Sequence, residues 1–167
     1  TNVCGTISLL KVMSANDCHT LIFSSSATIY GYSKDGFLKE STPISPINTY
    51  GKTKSTIEQI LNELFHSQPN LWRIANLRYF NPIGAHPSGF IGEDPFGMPN
   101  NIFPLIIKVS SREINKLEIF GNNWPTLDGT AIRDYIHVMD LAEAHALTLK
   151  KLLEFESKLL ILNIGTG

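Results

Sequence analysis

Apolar residues recur at two different spacings along this chain of 167 residues. The stretches TLIFSS (20–25), WRIANLRYF (72–80) and LLILNIG (159–165) are mostly apolar without strict alternation, which is typical of strands buried on both faces of a parallel sheet. Elsewhere apolar residues recur every three or four positions, which predicts helices over about 2–16, 48–67, 100–112 and 140–156. The alternation of strands and helices predicts an α/β fold built on a doubly wound parallel sheet.

The second half of the chain is less regular. Short strands are predicted at LEIFG (117–121) and RDYIHV (133–138), and residues 81–99 form a long Gly- and Pro-rich loop. Loops of that length inside a domain usually carry function. Because the sequence lacks an initiator Met and stops at the strand-to-turn pattern NIGTG, we expect an internal part of a longer protein with an incomplete sheet.

The helix over 48–67 contains a tyrosine and a lysine four positions apart, Tyr50 and Lys54. On a helical wheel both fall near the middle of the apolar face, whereas Lys52 falls on the polar side. An ammonium group is almost never buried without a partner, so Lys54 needs a functional explanation. The alternative is a solvated helix start that contains this pair by chance.

A tyrosine and a lysine on one helix face can act together as a base. To work near neutral pH the tyrosine pKa must fall by about 3 units, roughly 4 kcal/mol. One ammonium at about 5 Å supplies on the order of 3 kcal/mol at an effective dielectric constant near 20. A second positive charge is therefore required, which an oxidised nicotinamide ring would provide, and the Ser26 hydroxyl could share the substrate proton.

Composition narrows the classes of partner. The net charge is −1 and Lys and Arg do not cluster, so we expect neither a nucleic-acid partner nor a membrane surface. No apolar run reaches the roughly 20 residues that a membrane span needs. The two cysteines, Cys4 and Cys18, are too few for a disulfide framework or a zinc site and predict free thiols in a cytoplasmic protein. The histidines have no metal-ligand spacing.

Polar residues follow the predicted strands at positions where α/β sheets bind ligands. The segment FSSSATIYG (23–31) places Ser24, Ser25 and Ser26 at the end of a strand, although serines also simply end strands. Asn81 and Asn101 offer paired donors and acceptors, and a helix beginning near Ile102 would present free N–H groups to a phosphate. The alternative is that the asparagines only cap helices.

Arg133, in the segment GTAIRDYIHVMDLAEAH (129–145), is a candidate for a bidentate phosphate contact. Its alternative is an ordinary salt bridge with Asp134 or Asp140.

Taken together, the segments FSSSATIYG, YGKTK, LRYFNPIGAHPSG, GEDPFGMPNN, IFGNNWPTLDGTAIRDYIHVMDLAEAH and LNIGTG resemble the UDP-glucose 4-epimerase family of extended short-chain dehydrogenases/reductases. The resemblance covers essentially the whole chain. It implies a Rossmann-like fold, bound NAD, and interconversion of UDP-glucose and UDP-galactose through a 4-keto sugar, as part of galactose metabolism. It also implies a homodimeric full-length protein.

The resemblance assigns roles to individual residues. Tyr50 is implied to remove the proton of the sugar 4-hydroxyl, Lys54 to lower the pKa of Tyr50 and hold the nicotinamide ribose, and Ser26 to hydrogen-bond the same hydroxyl. Further residues are implied to contact the cofactor (Ser24, Ser25, Phe80) or the UDP-sugar (Asn81, Asn101, Ile102, Ile119, Phe120, Arg133). Residues 1–80 then form the second half of the NAD-binding domain, and residues 81–167 the UDP-sugar region interleaved with the last sheet strands.

The Gly-rich pyrophosphate turn of the family has no counterpart in this sequence, so we expect residues 1–167 alone neither to hold NAD nor to epimerise. A nucleotide-sugar 4,6-dehydratase would need an acid beside Ser26, where Ala27 and Thr28 stand. A 4-epimerase acting on a UDP-pentose or a UDP-N-acetylhexosamine stays open, as does a catalytically inactive fragment.

Overall fold

The computed structural model describes residues 1–32 and 36–167. The helices are α1 (Asn2–Ala15), α2 (Thr49–Ser67), α3 (Ile102–Ser110) and α4 (Val138–Leu152), with a 3₁₀ turn at Ala27–Ile29. The strands are β1 (Thr20–Ser26), β2 (Arg73–Tyr79), β3 (Asn81–Ile83), β4 (Tyr135–His137) and β5 (Lys158–Ile164). No helix of the described residues is both long and apolar enough to cross a bilayer.

Three strands form a parallel sheet in the order β1-β2-β5. The register places Ser25 beside Arg78 and Arg78 beside Asn163. The ends of all three strands therefore meet at one carboxyl edge. Residues 74 to 78 of β2 are all buried, as expected for a central strand covered on both faces. The predicted α/β class and parallel sheet are confirmed.

Helices cover the two faces of the sheet separately. On one face α1 and α2 pack against Trp72 and Ile74, through side chains that include Leu10 and Leu61. On the other face Leu152 of α4 packs against alternate residues of β2, Ala75 and Leu77. This is the doubly wound arrangement, with one apolar cluster on each face of the sheet.

The strand predicted at 117–121 is wrong, because these residues pair with no strand among the described residues. Conversely β3 was missed inside the predicted loop; it pairs in parallel with β4 over three residues. α4 spans Val138–Leu152 rather than the predicted 140–156. At its start the His137 side chain accepts a hydrogen bond from the backbone N–H of Met139. Short strands carry too few residues for their period to be read reliably.

The inward face of α2 differs from the wheel prediction. Lys54 is half-buried and Lys52 exposed, as predicted, but Tyr50 lies at the edge of the buried face with 47% of its surface exposed. The buried residues of α2 include Gly51 and Glu58, neither of which has an apolar side chain. A Cβ on Gly51 would lie 2.7 Å from the Thr28 carbonyl oxygen, so close packing requires glycine there.

Candidate functional site

Ser26 ends β1 at the carboxyl edge of the sheet. It is 7% exposed, and its side chain caps the following 3₁₀ turn by accepting a hydrogen bond from the backbone N–H of Thr28. The Thr28 hydroxyl lies 3.0 Å from the Ser26 oxygen. These contacts fix the orientation of the Ser26 side chain at the carboxyl edge of the sheet, where a ligand hydroxyl can still reach it.

Lys54 reaches from α2 to the end of β1. Its ammonium donates a hydrogen bond to the Ser24 carbonyl oxygen at 2.7 Å and lies 5.0 Å from the centre of the Phe23 ring. Burial lowers the pKa of Lys54 below its ordinary value. A lysine ammonium has three donors, and within residues 1–32 and 36–167 two of them remain for a ligand at this edge.

Tyr50 lies one turn before Lys54, whose ammonium is 5.5 Å from the centre of its ring. Burial, with a smaller contribution from Tyr79, raises the pKa of Tyr50 above its ordinary value. In this structure the nearby ammonium therefore does not prepare the phenol to act as a base near neutral pH. The need for a second positive charge beside Lys54 stays a prediction.

A cleft of about 1150 Å³ lies at this edge, between the ends of the sheet strands and the β3–β4 pair. Of the predicted site residues, it is lined by Ser26, Phe80, Asn81 and Arg133. Tyr50 and Lys54 are outside its lining, although Asn48, the N-cap of α2, belongs to it. The predicted cofactor and substrate residues thus come together in part.

Ser24 and Ser25, the two serines predicted to contact the cofactor, have side chains engaged by the fold. Ser25 is fully buried, and its hydroxyl donates a hydrogen bond to Glu58; its contact with a cofactor stays a prediction. The Ser24 hydroxyl lies 3.4 Å from Nε2 of His145. The carbonyl oxygen of Ser24 binds Lys54, so Ser24 acts on the site through its backbone.

Arg133 is exposed, at the rim of the cleft. Among residues 1–32 and 36–167 it forms no salt bridge, which argues against a pair with Asp134 or Asp140. The Asp134 carboxylate instead accepts hydrogen bonds from the backbone N–H and the hydroxyl of Thr166. Arg133 therefore keeps its guanidinium donors for a ligand such as a diphosphate.

The Asn81 side chain is partly used by the fold, because its amide donates to the Asp134 carbonyl oxygen at 2.8 Å. Its own carbonyl oxygen remains as an acceptor. Asn101 is the N-cap residue of α3 but makes no capping side-chain bond; its amide donates to Glu93 at 2.5 Å. The alternative, that Asn101 only caps the helix through its side chain, is therefore not what this structure shows.

The remaining predicted UDP contacts lie away from the cleft. Ile102, at the start of α3, and the pair Ile119 and Phe120 are exposed and do not line it. Phe120 is 91% exposed. The structure therefore does not bring these residues to Ser26 and Arg133.

Sequence reasoning missed a buried polar network beneath the site, formed by Glu58, Arg78, Tyr30 and Asn163. Its members were visible as charged and polar residues inside apolar patterns: Glu58 falls on the inward side of the α2 wheel, and Arg78 lies within the apolar run of β2. A charge inside such a run requires a partner. The described residues hold no group of three or more His, Cys, Asp or Glu that could bind a metal ion.

Comparisons with known proteins identify the family of this chain. A model of the "NAD dependent epimerase/dehydratase family" matches residues 1–165. "UDP-glucose 4-epimerase 4" of Oryza sativa subsp. japonica is 51% identical over 166 residues, which are 99% of this chain and 45% of that protein. "Bifunctional UDP-glucose 4-epimerase and UDP-xylose 4-epimerase 1" of Pisum sativum is 46% identical over 167 residues, 99% of this chain and 47% of that protein.

A solved structure has the same fold. The UDP-glucose 4-epimerase from Bifidobacterium longum in complex with NAD+ and UDP superposes with a TM-score of 0.92 and 43% identity, over 99% of this chain and 49% of that one. The chain thus spans about half the length of the curated relatives that it matches.

Proposed function

The chain belongs to the NAD dependent epimerase/dehydratase family, and on that premise we propose that it is the catalytic part of a UDP-glucose 4-epimerase. The observation that carries the proposal is that Lys54, beside the Tyr50 ring, binds the end of the strand that carries Ser26. Next to it lies a cleft rimmed by Arg133, which forms no salt bridge within residues 1–32 and 36–167. We call the longer polypeptide of the relatives' length, in which these residues act, the whole protein.

The residues present fit NAD at this edge. Lys54 has two free donors beside the exposed phenol of Tyr50, an arrangement suited to a ribose hydroxyl. Phe80 lines the cleft and offers an apolar surface to a flat ring. NAD held by these residues would supply a hydride acceptor and donor for C4 of the sugar, which is the chemistry that a 4-keto route requires.

The chain's own residues move the proton. Tyr50 removes the proton of the 4-hydroxyl, Ser26 holds that hydroxyl by a hydrogen bond, and Lys54 stabilises the charge that develops on the phenolate. Because burial raises the pKa of Tyr50 in the chain without ligands, Tyr50 becomes a base only when positive charge from the ligand adds to that of Lys54.

The two parts of the chain divide the substrate between them. We assign the cofactor side and the catalytic residues to residues 1–80, and the UDP-sugar region to residues 81–167. The composition of the cleft supports this division, because its lining includes Ser26 and Tyr79 from the first part of the chain and Arg133 and Tyr135 from the second. Asn81 and Arg133 bind the diphosphate, which anchors the nucleotide and leaves the hexose free to turn. Asn101, Ile102, Ile119 and Phe120 stay predicted UDP contacts.

The second candidate is a 4-epimerase with another or a wider UDP-sugar range. The Pisum sativum relative supports it, because its name includes UDP-xylose 4-epimerase activity. A UDP-N-acetylhexosamine is a further candidate substrate, and a catalytically inactive fragment is a third reading of the chain. The size of the sugar pocket decides between the substrates, since one or two added groups change binding by steric fit.

The test is incubation of the purified whole protein and NAD with UDP-galactose, followed by proton NMR of the anomeric signals. We expect UDP-glucose to form with no accumulation of NADH, because the cofactor ends each turnover as it began. Parallel reactions with UDP-xylose and UDP-N-acetylglucosamine define the substrate range. Steady formation of NADH, or loss of water from the sugar, would instead indicate a dehydrogenase or a dehydratase.

A cytoplasmic location, a role in galactose metabolism and a homodimeric whole protein complete the proposal. Cys4 and Cys18 are both free and exposed, which suits a reducing compartment. The homodimer is supported by the sequence resemblance alone, and light scattering of the whole protein tests it.

A further inference from the structure

Helix α2 is joined to the end of β1 by two polar contacts from successive turns. Lys54 binds the carbonyl oxygen of Ser24 at 2.7 Å. One turn later, Glu58 accepts a hydrogen bond from the hydroxyl of Ser25. Residues 24 and 25 immediately precede Ser26, and Tyr50 lies one turn before Lys54 on α2. The two contacts therefore connect the segment that carries Ser26 to the helix that carries Tyr50.

The second contact is fully buried. Ser25 is 0% exposed and Glu58 4% exposed, and the carboxylate of Glu58 is also held by Arg78. The Nε of Arg78 donates to Oε1 of Glu58 at 3.0 Å, and Nη2 lies 2.5 Å from Oε2. A planar guanidinium bound in this way leaves the carboxylate one orientation.

Arg78 is itself held by residues from other segments. Its Nη1 donates to the Tyr30 hydroxyl at 2.9 Å and to the Glu40 carbonyl oxygen at 3.1 Å. The Tyr30 hydroxyl in turn donates to Asn163 of β5 at 2.6 Å. Hydrogen bonding to Glu58 and Tyr30 keeps the pKa of Arg78 above its ordinary value, although burial opposes this.

Buried ion pairs contribute little net stability compared with apolar packing. Stabilisation alone therefore does not explain this network. Its observable effect is geometric: Ser25, Arg78 and Asn163 lie in register across the three strands, and Glu58 connects that row to α2. We propose that Glu58 is a positioning residue that sets the spacing between Ser26 and the Tyr50–Lys54 pair through its bond to Ser25. This inference rests on the proposed function of the three residues.

The sharpest test is Ser25→Ala in the whole protein, because it removes the bond to β1 and leaves the Glu58–Arg78 pair intact. The matched control is Ser55→Ala. Ser55 is also buried, at 7% exposure, but its hydroxyl donates to the Lys52 carbonyl within α2 and does not reach β1.

In Ser25→Ala we expect kcat with UDP-galactose to fall roughly 10- to 100-fold, the loss typical of reacting groups displaced by about 1 Å. KM and the amount of NAD bound per chain stay unchanged, since the Ser25 side chain is fully buried and binds Glu58. In Ser55→Ala we expect kcat within about twofold of the wild type. A kcat for Ser25→Ala that is also within about twofold would overturn the proposal, as would equal losses in the two variants. Loss of bound NAD in Ser25→Ala would also overturn it and make Ser25 a cofactor contact.

Amide hydrogen exchange gives a readout that does not need turnover. We expect exchange at residues 24–28 and in the first turn of α2 to accelerate in Ser25→Ala and to remain unchanged in Ser55→Ala. Unchanged exchange at these residues in Ser25→Ala would contradict the positioning role. If the wild-type whole protein did not convert UDP-galactose, the proposed function would fail, and the exchange measurement would still decide whether Glu58 holds β1 against α2.

Discussion

The sheet half of the molecule (residues 1–32 and 36–83, with 133–167) and the loop half (84–132) are built differently. Every hydrophobic residue of the buried core lies in the sheet half, and none lies between residues 84 and 132, all of which are described. The loop half has one helix, α3, and exposes large apolar side chains such as Phe90, Phe96, Phe120 and Leu127.

The difference separates two kinds of functional residue. Ser26, Tyr50 and Lys54 lie on a strand and a helix that pack on one core, so their relative positions are set before any ligand arrives. Asn101, Ile102, Ile119 and Phe120 belong to a region without a buried core, so their positions are not fixed by packing. The geometry of the proposed catalytic residues is therefore a property of this fold, whereas the positions of the predicted nucleotide contacts depend on what binds them.

The largest expected effect is that of Tyr50→Phe in the whole protein. Removal of the hydroxyl takes away the proposed base, so kcat should fall by about 10²- to 10⁴-fold, while binding of the UDP-sugar changes little. Steady-state kinetics and calorimetry with UDP measure the two quantities. Tyr32→Phe, at a 69% exposed tyrosine, is the control. Near-normal turnover in Tyr50→Phe would show that Tyr50 is not the base and would contradict a catalytic role for the sheet half.

Paired core and surface substitutions test whether the loop half lacks a core. Leu61→Ala, in the cluster between α1, α2 and the sheet, should lower the free energy of unfolding by about 2–5 kcal/mol. Phe120→Ala should change it by less than about 0.5 kcal/mol, since Phe120 is 91% exposed. Urea unfolding of the whole protein without ligand gives both values. Equal losses would show that the loop half has a packed core.

Lys54→Met tests the electrostatic part of the account. Methionine keeps the apolar stem but removes a charge 5.5 Å from the Tyr50 ring, which by Coulomb's law is worth about 2 pKa units at an effective dielectric constant near 20. Loss of the positive charge favours the neutral phenol, so the pKa that governs kcat should rise and activity at neutral pH should fall.

The pH–rate profile of Lys52→Met provides the comparison for Lys54→Met, because Lys52 is exposed on the other side of the same helix. We expect its acidic limb to match that of the wild type. An unshifted acidic limb in Lys54→Met would mean that Lys54 does not tune the base.

A smaller effect is expected from Arg133→Met, at the boundary of the two halves. Loss of the guanidinium should raise KM for UDP-galactose about tenfold, with kcat nearly unchanged, because the diphosphate is held equally in the ground state and the transition state. Arg112→Met removes an exposed arginine beyond the end of α3 and should leave KM unchanged. A loss confined to kcat would argue against a diphosphate contact.

The long strands and helices could be predicted from the sequence better than the short segments. The parallel sheet and three of the four helices could be predicted to within a few residues, because β1, β2 and β5 are long apolar segments and the helices have a clear period. The strand predicted at 117–121 does not form, and β3 was missed, because neither segment is long enough for its period to distinguish strand from loop.

At the site, sequence patterns predicted that Ser26, Tyr50 and Lys54 act together but did not predict the buried bond of Ser25. A hydroxyl at a strand end can face a ligand or the core, and the difference depends on Glu58, which lies 33 residues away in sequence. The buried pair of Glu58 and Arg78 was not predicted for the same reason: a long-range partner cannot be identified from a local pattern.

The central claim is that the sheet half moves a hydride out of C4 and back within one turnover, and an isotope experiment tests it most directly. UDP-galactose deuterated at C4 is incubated in ordinary water with the whole protein and NAD, and the UDP-glucose formed is analysed by mass spectrometry and NMR. The account predicts that deuterium is retained at C4 of the product, because the transferred atom does not exchange with solvent. Replacement of the deuterium by solvent hydrogen would contradict it.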